Sequence, residues 1–358
     1  MALFNTDPLT RPMSREELAT IERQRKEGKF GPRRSNSCGV VVIILGAAVI
    51  GFISFTFVKV WGGIASSPGG GAMISRISPF MILWLAVFAF IVARLIHRLV
   101  SRNTPKAWAK TARFAEENGL AFRNRSDNPA YPGLIFNRGH TRYSLDHVFS
   151  HTGAFADAGQ YVYVTGSGDD RTRHYWNFAA FRLPRPMPHL LLDAKSNNLG
   201  RSNLSNLPVS FHKDQRVSLG APFDDHYVLY APEDYGTDAF FLFPPNVMQA
   251  LLDATVDYDI EIIDDWMFLY TRSGQDLTDP ETWRLFETIA ESVVAGLSQV
   301  SQRYTDYRAQ NPMAATPGQP ARAIASGGQR LQTSKPVIAM VAAGGMILLW
   351  FVFNSLLF

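Results

Sequence analysis

The sequence predicts an α+β fold with a mostly antiparallel sheet and flanking helices, together with three transmembrane helices. Three observations lead to this fold class. Apolar runs occupy residues 39–58, 77–93 and 336–358. Between the second and third runs, alternating polar and apolar residues indicate strands. Amphipathic segments at 106–118 and after Asp279 indicate helices that pack on those strands.

The three apolar runs are long enough to cross a bilayer. A helix rises about 1.5 Å per residue and the hydrocarbon layer is about 30 Å thick, so roughly 20 apolar residues are needed. We therefore predict transmembrane helices at 38–60, 77–100 and 336–358, with a short outer loop at 61–76. For the first two runs the alternative is a buried helical hairpin of a soluble core.

Basic residues beside the apolar runs predict an orientation. They cluster before the first run and after the second, whereas the loop between these runs has only Lys59 and Arg76. We predict a multi-pass protein of the cell membrane with its N-terminus and main domain in the cytoplasm and its C-terminus outside. The flanking basic residues that we expect beside the lipid bilayer are Arg33, Arg34, Arg94, Arg98 and Arg102.

The rest of the chain divides by composition. Residues 104–308 form the predicted cytoplasmic domain, with possible halves at 104–216 and 217–308. Residues 1–37 are a polar basic tail, in which Ser14 and Glu17 indicate the capped start of a short helix. Residues 309–335 are rich in Pro and Gly and have no apolar periodicity, which predicts a flexible linker.

Within the domain, periodicity and turn residues predict strands and helices. Helices are expected at 106–118, after Pro244 and after Asp279. Asp264 and Asp265 are expected to form a tight turn between two strands. The predicted strands are 133–136, 140–149, 160–165, 175–183, 190–192, 226–230, 239–243, 260–263 and 266–270.

Charge is divided unevenly along the domain. Residues 101–216 contain 16 Lys and Arg against 9 Asp and Glu, whereas residues 217–308 contain 4 against 17, so the balances are +7 and −13. We expect the basic half to favour anionic lipid headgroups and the acidic half 217–308 to bind a protein partner. Nucleic acid is not an expected partner, because the basic half has no recognisable reader motif.

Candidate catalytic and metal-binding residues form weak patterns. His140, His147 and His151 fall in a strand-like stretch, where their spacing does not converge on a metal, so no metal or cofactor is expected. No nucleophile elbow frames any serine. Carboxylates beside aromatic residues suggest a candidate pocket. The alternative is that these Asp residues have only a structural role, because Asp is favoured at turns. Its residues are His226, Asp264, Asp265 and Trp266.

Three segments, 181–193, 223–232 and 241–248, carry a resemblance to known proteins. They are FRLPRPMPHLLLD, FDDHYVLYAP and FLFPPNVM, and together they resemble the soluble domain of uncharacterised bacterial, chiefly actinobacterial, membrane-anchored proteins. The similarity covers roughly residues 105–300. It implies a cytosolic domain tied to paired membrane helices, and it brings no activity or catalytic residues.

These observations favour a membrane-anchored cytoplasmic interaction or sensing module over an enzyme. The alternative is a membrane-tethered enzyme or small-ligand-binding domain that uses the pocket near His226 and Asp264. The two functions differ in one structural expectation, because an enzyme needs these groups to converge in a cavity. The oligomeric state is left open.

Overall fold

The computed structural model describes residues 3–32, 94, 105–198, 205–272, 274–309 and 324–334. It shows an α+β domain whose strands form a main antiparallel sheet. Helices pack on one face of that sheet, and segments of irregular structure cover the other. The second face, which we call the loop-covered face, also holds several buried carboxyl groups.

Seven strands form the main sheet in the order β1-β2-β3-β4-β7-β6, and β8 also pairs with β4. Residues 177–181 of β4 pair with both β3 and β8, so these two strands lie on opposite edges of β4. A second, two-stranded sheet joins β5 and β9. The strands are β1 Ala121–Asp127, β2 His140–Phe149, β3 Phe155–Thr165, β4 Thr172–Ala194, β5 Ser210–Phe211, β6 Arg216–Val217, β7 Tyr227–Tyr230, β8 Asp259–Thr271 and β9 Thr333–Ser334.

The long central strand β4 is irregular at its three prolines. Pro184, Pro186 and Pro188 have no N–H to donate, and the register with β8 shifts on both sides of Met187. Opposite this irregularity, Asp264 has a φ of 54°, in the left-handed region. The predicted tight turn at Asp264 and Asp265 is therefore wrong, because β8 continues through these residues as one bulged strand.

The helices pack an apolar side against the sheet. The helix after Asp279 begins at Pro280, and the Asp279 side chain accepts a hydrogen bond from the Glu281 N–H, as its sequence predicts. Trp283 and Phe286 on this helix are fully buried. The helices are α1 Asp7–Thr10, α2 Arg15–Lys26, α3 Pro105–Glu117, α4 Phe223–His226, α5 Gly236–Leu242, α6 Pro245–Ala254, α7 Pro280–Ile289 and α8 Ala295–Arg303, and a π-helical segment Ala290–Val294 joins the last two.

The N-terminal segment 3–32 is part of the domain rather than a polar tail. Ser14 caps α2 by accepting from the Glu17 N–H at 3.1 Å, which confirms the predicted helix start. Phe4 inserts edge-on against Phe155 and Trp283. Buried aromatic rings of this size contribute strongly to a core, so the segment helps to cover the helical face.

The loop-covered face is organised around the carboxylate of Glu261, which is 0% exposed. It accepts hydrogen bonds from His189 Nε2, the Tyr270 hydroxyl and the Leu134 N–H, each at 2.7 Å. Leu331 N–H donates to His189 Nδ1 at 2.9 Å, which assigns the proton of the neutral ring to Nε2. We call these groups the Glu261 cluster.

The Glu261 cluster ties four distant chain segments together. Glu261 and Tyr270 lie on β8, His189 lies on β4, and the two backbone donors belong to irregular segments. A Cβ at Gly133 would overlap with the Tyr270 hydroxyl, so glycine allows this close approach. Part of the predicted flexible linker, residues 324–334, is thereby fixed against the sheet.

Two further predictions of secondary structure are wrong. Residues 133–136 form no strand, and they pack Ile135 and Phe136 onto the loop-covered face through irregular backbone. The predicted strand at 239–243 is the helix α5. In both segments apolar residues are needed for burial, and a short apolar run does not by itself distinguish a strand from other conformations.

The transmembrane part of the predicted fold class is contradicted. Among the described residues, none of the helices has the length and apolar character needed to cross a bilayer. The longest continuous helix, 280–303, carries Glu281, Arg284 and Glu291 along its length. The segments at 38–60, 77–100 and 336–358, on which the prediction was based, lie outside the described residues apart from Arg94.

The Glu261 cluster makes a prediction about stability. Glu261→Gln replaces an acceptor oxygen by an NH₂ group that faces another donor, and we expect the free energy of unfolding to fall by about 1 to 3 kcal/mol. Urea denaturation measures this change. The control is Glu281→Gln, which removes an exposed pair with Arg284 and should change stability by less than about 0.5 kcal/mol. Equal effects of the two substitutions would contradict the role given to Glu261.

Candidate functional site

The structure does not bring the residues of the sequence-predicted pocket together. His226 ends helix α4 with an exposed side chain, and its carbonyl accepts from the Lys195 N–H at 2.8 Å. Asp264 forms a bidentate ion pair with Arg330, with distances of 2.9 and 3.0 Å. Asp265 is exposed, so these carboxylates face a surface arginine and solvent.

Strand register separates the two ends of that predicted pocket. Met187 pairs with Asp264, and Ala194 pairs with Tyr227, the neighbour of His226. Seven residues of strand at about 3.3 Å each put these positions roughly 23 Å apart. Trp266 lies on β8 two residues after Asp264 and stacks on Phe268, with ring centroids 5.7 Å apart.

The predicted basic flank is largely outside the described part of the chain. Arg33, Arg34, Arg98 and Arg102 belong to segments that the structure does not describe. Arg94 is described as an exposed helical residue.

A different surface stands out in the acidic half of the domain. Phe240, Phe241 and Tyr307 are 60%, 50% and 83% exposed, and we call them the aromatic surface. They surround the contact between helix α5 and the segment that follows α8, where the rings of Phe241 and Tyr304 are 6.1 Å apart. Large aromatic side chains that remain exposed on a folded surface are typical of protein interaction sites.

Helix periodicity explains why these phenylalanines face outward. Ala239 and Leu242 are fully buried and occupy the inner side of α5. Phe240 and Phe241 fall between these positions and therefore point away from the core. A strand with the same sequence would have buried one of two adjacent residues, and the helix exposes both.

A rigid polar framework lies beneath the aromatic surface. Asp306 is 1% exposed and accepts hydrogen bonds from the Tyr235 hydroxyl at 2.6 Å and from the Ala325 N–H at 2.8 Å. Burial alone would raise the pKa of Asp306, but hydrogen bonds from Tyr235 and from the N–H groups of Ala325 and Arg308 outweigh it, and the pKa is lowered. This carboxylate therefore stays ionised while it connects three segments.

Arg308 is neutralised within the same framework. Its guanidinium donates to Asp238 at 2.8 Å and to the Asp234 carbonyl at 2.7 Å, and it lies 4.4 Å from the centre of the Tyr235 ring. The hydrogen bond with Asp238 raises the pKa of Arg308. Glu233 and Asp234 are exposed at the start of α5, so the net charge beside the aromatic surface is negative.

A second arrangement lies on strands β1 to β3. The Ser126 hydroxyl is 2.8 Å from His147 Nε2, and His147 Nδ1 is 2.9 Å from Asp157 Oδ1. The Tyr131 hydroxyl donates to Asp157 Oδ2 at 2.8 Å. We call Ser126, His147 and Asp157 the serine array. Its hydrogen bonds have the order of a hydrolytic triad, in which a carboxylate orients a histidine that accepts the serine proton.

The serine array is held in place by close packing. A Cβ at Gly159 would overlap with the Cβ and Cα atoms of His147, so glycine allows the two strands to approach closely here. His147 is 6% exposed and Asp157 2%, whereas Ser126 is half-buried and reaches the surface. Only the serine is therefore placed to meet a substrate from outside.

Two cavities open near these strands and are lined by other residues. One, of about 230 Å³, lies between α3 and β2 and includes Trp108, Gln160 and Gln275. The other includes Phe30, Phe149 and His151. Neither of these two cavities includes Ser126 or His147.

The three histidines that were considered as metal ligands point to separate partners. His140 bonds Thr141 and the Gly166 carbonyl, and His147 belongs to the serine array. His151 is exposed and packs edge-on against Phe149. Throughout the described segments, no group of three or more His, Cys, Asp or Glu side chains is arranged to hold a metal ion.

Sequence reasoning missed both sites for identifiable reasons. The members of the serine array are far apart in sequence and meet only through strand register, which has no local signature. The aromatic surface had a weak signal, because two adjacent phenylalanines followed by Pro244 and Pro245 also fit a short helix. The acidic half was correctly recognised as strongly charged, since charge is a property of composition.

The fold and the site together define an α+β domain with an exposed aromatic surface in an acidic half. No protein-family model matches the chain, and no curated protein matches it. The chain aligns weakly with the crystal structure of the mycobacterial trehalose monomycolate transport factor A, TtfA, at a TM-score of 0.32 and 12% identity. That alignment covers 52% of this chain and 96% of the other.

The framework below the aromatic surface predicts a pH-dependent loss of stability. Tyr235→Phe removes one donor to Asp306, and we expect unfolding free energy at pH 7 to fall by about 1 to 2 kcal/mol. Because the pKa of Asp306 is lowered in the folded state, its contribution is present above the usual pKa near 4 and is lost as the pH falls below it. Urea denaturation at pH 7 and pH 3 should show a smaller difference between wild type and variant at pH 3.

Proposed function

We propose that this protein is an interaction module whose aromatic surface binds a protein partner through apolar contacts and basic side chains of the partner. The single observation that carries this proposal is the outward placement of Phe240, Phe241 and Tyr307 on a hydrogen-bonded framework. A fixed framework lowers the entropy cost of binding, because these backbone segments need no ordering.

The chemistry of the surface supports a protein partner. Aromatic side chains dominate the binding energy of protein interfaces when they fill pockets on the other molecule. Phe240 and Phe241 are both exposed on the same short helix, so each ring is available to an apolar recess on the partner. Binding also removes the exposed aromatic rings from water, and this burial contributes about 25 cal/mol of binding free energy per Å² of apolar surface.

The charge of the surroundings supports a basic partner. Arg308 is paired with Asp238 and Asp306, whereas Glu233 and Asp234 are exposed beside α5. The half that carries the aromatic surface has a balance of −13, from 4 basic and 17 acidic residues between 217 and 308. Complementary charge favours a basic surface on the partner and speeds the encounter.

The interaction proposal is tested by partner recovery from cells with matched variants. Phe240→Ala with Phe241→Ala removes two of the three exposed rings, and we expect recovery of a specific partner to fall by at least about tenfold, the equivalent of 1.4 kcal/mol. Quantitative mass spectrometry of crosslinked complexes measures recovery. Tyr175→Ala is the control, because Tyr175 is 44% exposed on β4, away from this surface.

Two outcomes would refute the proposed surface. One is equal recovery of the same partners by the double variant and the wild type. The other is recovery that does not fall with rising salt, since screening should weaken attraction between the acidic half and a basic partner. Circular dichroism of the variants establishes that the fold is kept.

Other sequence-based expectations stay predictions. They include contact of the basic half 104–216 with anionic lipid and a location of the domain on the cytoplasmic side of the cell membrane. They also include the resemblance to actinobacterial membrane-anchored proteins.

A second candidate function is acyl transfer at Ser126, favoured by the two hydrogen bonds of the serine array. In this reaction the Ser126 oxygen attacks an ester carbonyl while His147 Nε2 takes the hydroxyl proton. The proton then passes to the departing alcohol, and water attacks the acylated serine to release the acid. Asp157 stabilises the imidazolium that forms between these steps.

Covalent labelling tests this second function. A fluorophosphonate probe reacts with activated serines, and we expect it to label Ser126 in the full chain. Ser126→Ala should abolish labelling, and His147→Gln should slow it by about 100-fold or more, because glutamine cannot accept the proton. Ser150→Ala is the control, since that hydroxyl donates to the Thr152 carbonyl at 2.7 Å. Labelling that is absent, or unaffected by Ser126→Ala, would exclude the reaction.

A further inference from the structure

The cavity between α3 and the sheet has a polar floor that belongs to neither the aromatic surface nor the serine array. A row of facing residues crosses three strands, from Leu145 on β2 through Gln160 on β3 to Asn177 on β4. Facing residues point to the same side of a sheet, with Cβ atoms about 4.5 to 5.5 Å apart. All three line this cavity of about 230 Å³. Strand register thus places two amide side chains next to each other at its floor.

The two amide groups of the floor have unused hydrogen-bonding capacity. Gln160 and Asn177 are half-buried, and within the described residues neither amide makes a side-chain hydrogen bond. Each amide offers one carbonyl acceptor and two N–H donors. Polar groups in a folded protein normally have partners, so this pair is free to bind a molecule that enters the cavity.

Two buried groups beside the cavity also lack a partner. Its walls include Trp108 on α3 and Gln275 in the segment after β8. Gln275 is 8% exposed and its Nε2 donates to the Phe178 carbonyl at 2.9 Å, whereas its Oε1 accepts from none of the described residues. The Trp108 Nε1–H is buried and meets no acceptor in the described part of the chain. One donor and one acceptor are therefore unsatisfied at the border of the same cavity.

The backbone beside the cavity is strained at Asp146. The register between β2 and β3 shifts here, so that Asp146 and His147 both face Gly159 as a β-bulge. Asp146 has a φ of 44°, which is uncommon for a residue with a side chain. Bulges beside binding sites turn a side chain in a new direction, and Asp146 lines the cavity. Asn124 Nδ2 donates to its Oδ1 at 3.1 Å and holds the carboxylate in place.

The charge of the lining restricts the ligand. Asp146 and Asp276 line the cavity, and among the described residues no lysine, arginine or histidine does. These carboxylates repel an anion. A cation is attracted, but Asp276 Oδ1 already accepts from the Thr278 N–H and hydroxyl, at 3.0 and 2.8 Å. An ammonium group also carries donors only, so it leaves the Trp108 Nε1–H without an acceptor.

We propose that this cavity, which we call the amide pocket, binds a small uncharged molecule rich in hydroxyl groups, of the size of a monosaccharide. A hydroxyl group both donates and accepts, so it can serve the two amides of the floor as well as Trp108 and Gln275. An apolar cavity of about 150 Å³ holds benzene, and drug-sized ligands fill about 300 Å³ or more. A cavity of about 230 Å³ therefore suits a molecule of roughly ten to twelve non-hydrogen atoms.

Saturation-transfer NMR on the full chain tests the ligand class with four probes. Glucose and myo-inositol should both bind in a saturable way. Glucuronate, the carboxylate analogue of glucose, should bind at least about threefold more weakly, because the carboxylates of the pocket repel it. Putrescine, a diamine without hydroxyl groups, should bind more weakly than glucose. Preferential binding of glucuronate or putrescine, or the absence of binding by both neutral probes, overturns the proposal.

Matched variants locate the binding in the amide pocket. Gln160→Leu and Asn177→Leu each remove one amide of the floor, and each should weaken glucose binding at least about threefold, the loss expected for one neutral hydrogen bond. Ala107→Leu adds volume to the wall of the cavity and should abolish binding. Gln249→Leu is the control, because Gln249 is exposed on α6 and donates to Asp253.

Two results would show that the sugar binds elsewhere. One is glucose binding that neither floor substitution weakens, and the other is an equal loss in Gln249→Leu. Circular dichroism and the Tm of each variant without sugar establish that the fold is kept. If Ala107→Leu does not fold, the two floor substitutions still decide the outcome.

Discussion

The buried carboxylate of Glu261 is the constraint on which the loop-covered face depends. A buried ionised group is costly unless donors replace its lost water, and Glu261 receives three hydrogen bonds from neutral donors. Those donors come from β4, β8 and the segment around Leu134, and His189 extends the connection to Leu331. Neither irregular segment can leave the sheet without leaving this charge or its histidine unsatisfied. The cluster thus gives a fixed position to segments that have no regular secondary structure.

The two faces of the sheet are stabilised in different ways. On the helical face, apolar side chains such as Phe114 and Phe286 supply burial that needs no polar partners. On the loop-covered face, carboxyl groups are buried among aromatic rings, and their hydrogen bonds select one arrangement of the covering segments. The aromatic surface lies where helix α5 meets the segment after α8, and the Asp306 framework holds both in place. The aromatic surface thus lies on a helix and a segment whose positions are already set by buried polar contacts.

Local signals predicted the elements that local physics controls. The capped helix starts at Ser14 and Asp279 are set by hydrogen bonds within a few residues. Predictions failed where a distant segment decides the conformation. Asp264 and Asp265 have the composition of a turn, but three prolines in the facing part of β4 remove donors and produce a bulge instead. In α5, seven residues with adjacent phenylalanines fit a strand or a helix equally well from sequence, and packing on the core selects the helix.

By itself the sequence determined the α+β composition, the helix caps and the acidic character of residues 217–308, because propensity, hydrogen bonding to near neighbours and charge are properties of the local chain. The transmembrane helices that the sequence predicts have no counterpart among the described helices. Only the tertiary structure decided that His226 and Asp264 lie apart, and that Ser126, His147 and Asp157 meet. These outcomes depend on strand register, in which a shift of one residue moves each side chain to the opposite face of the sheet. Register is set by contacts between segments far apart in the chain, so no local pattern records it.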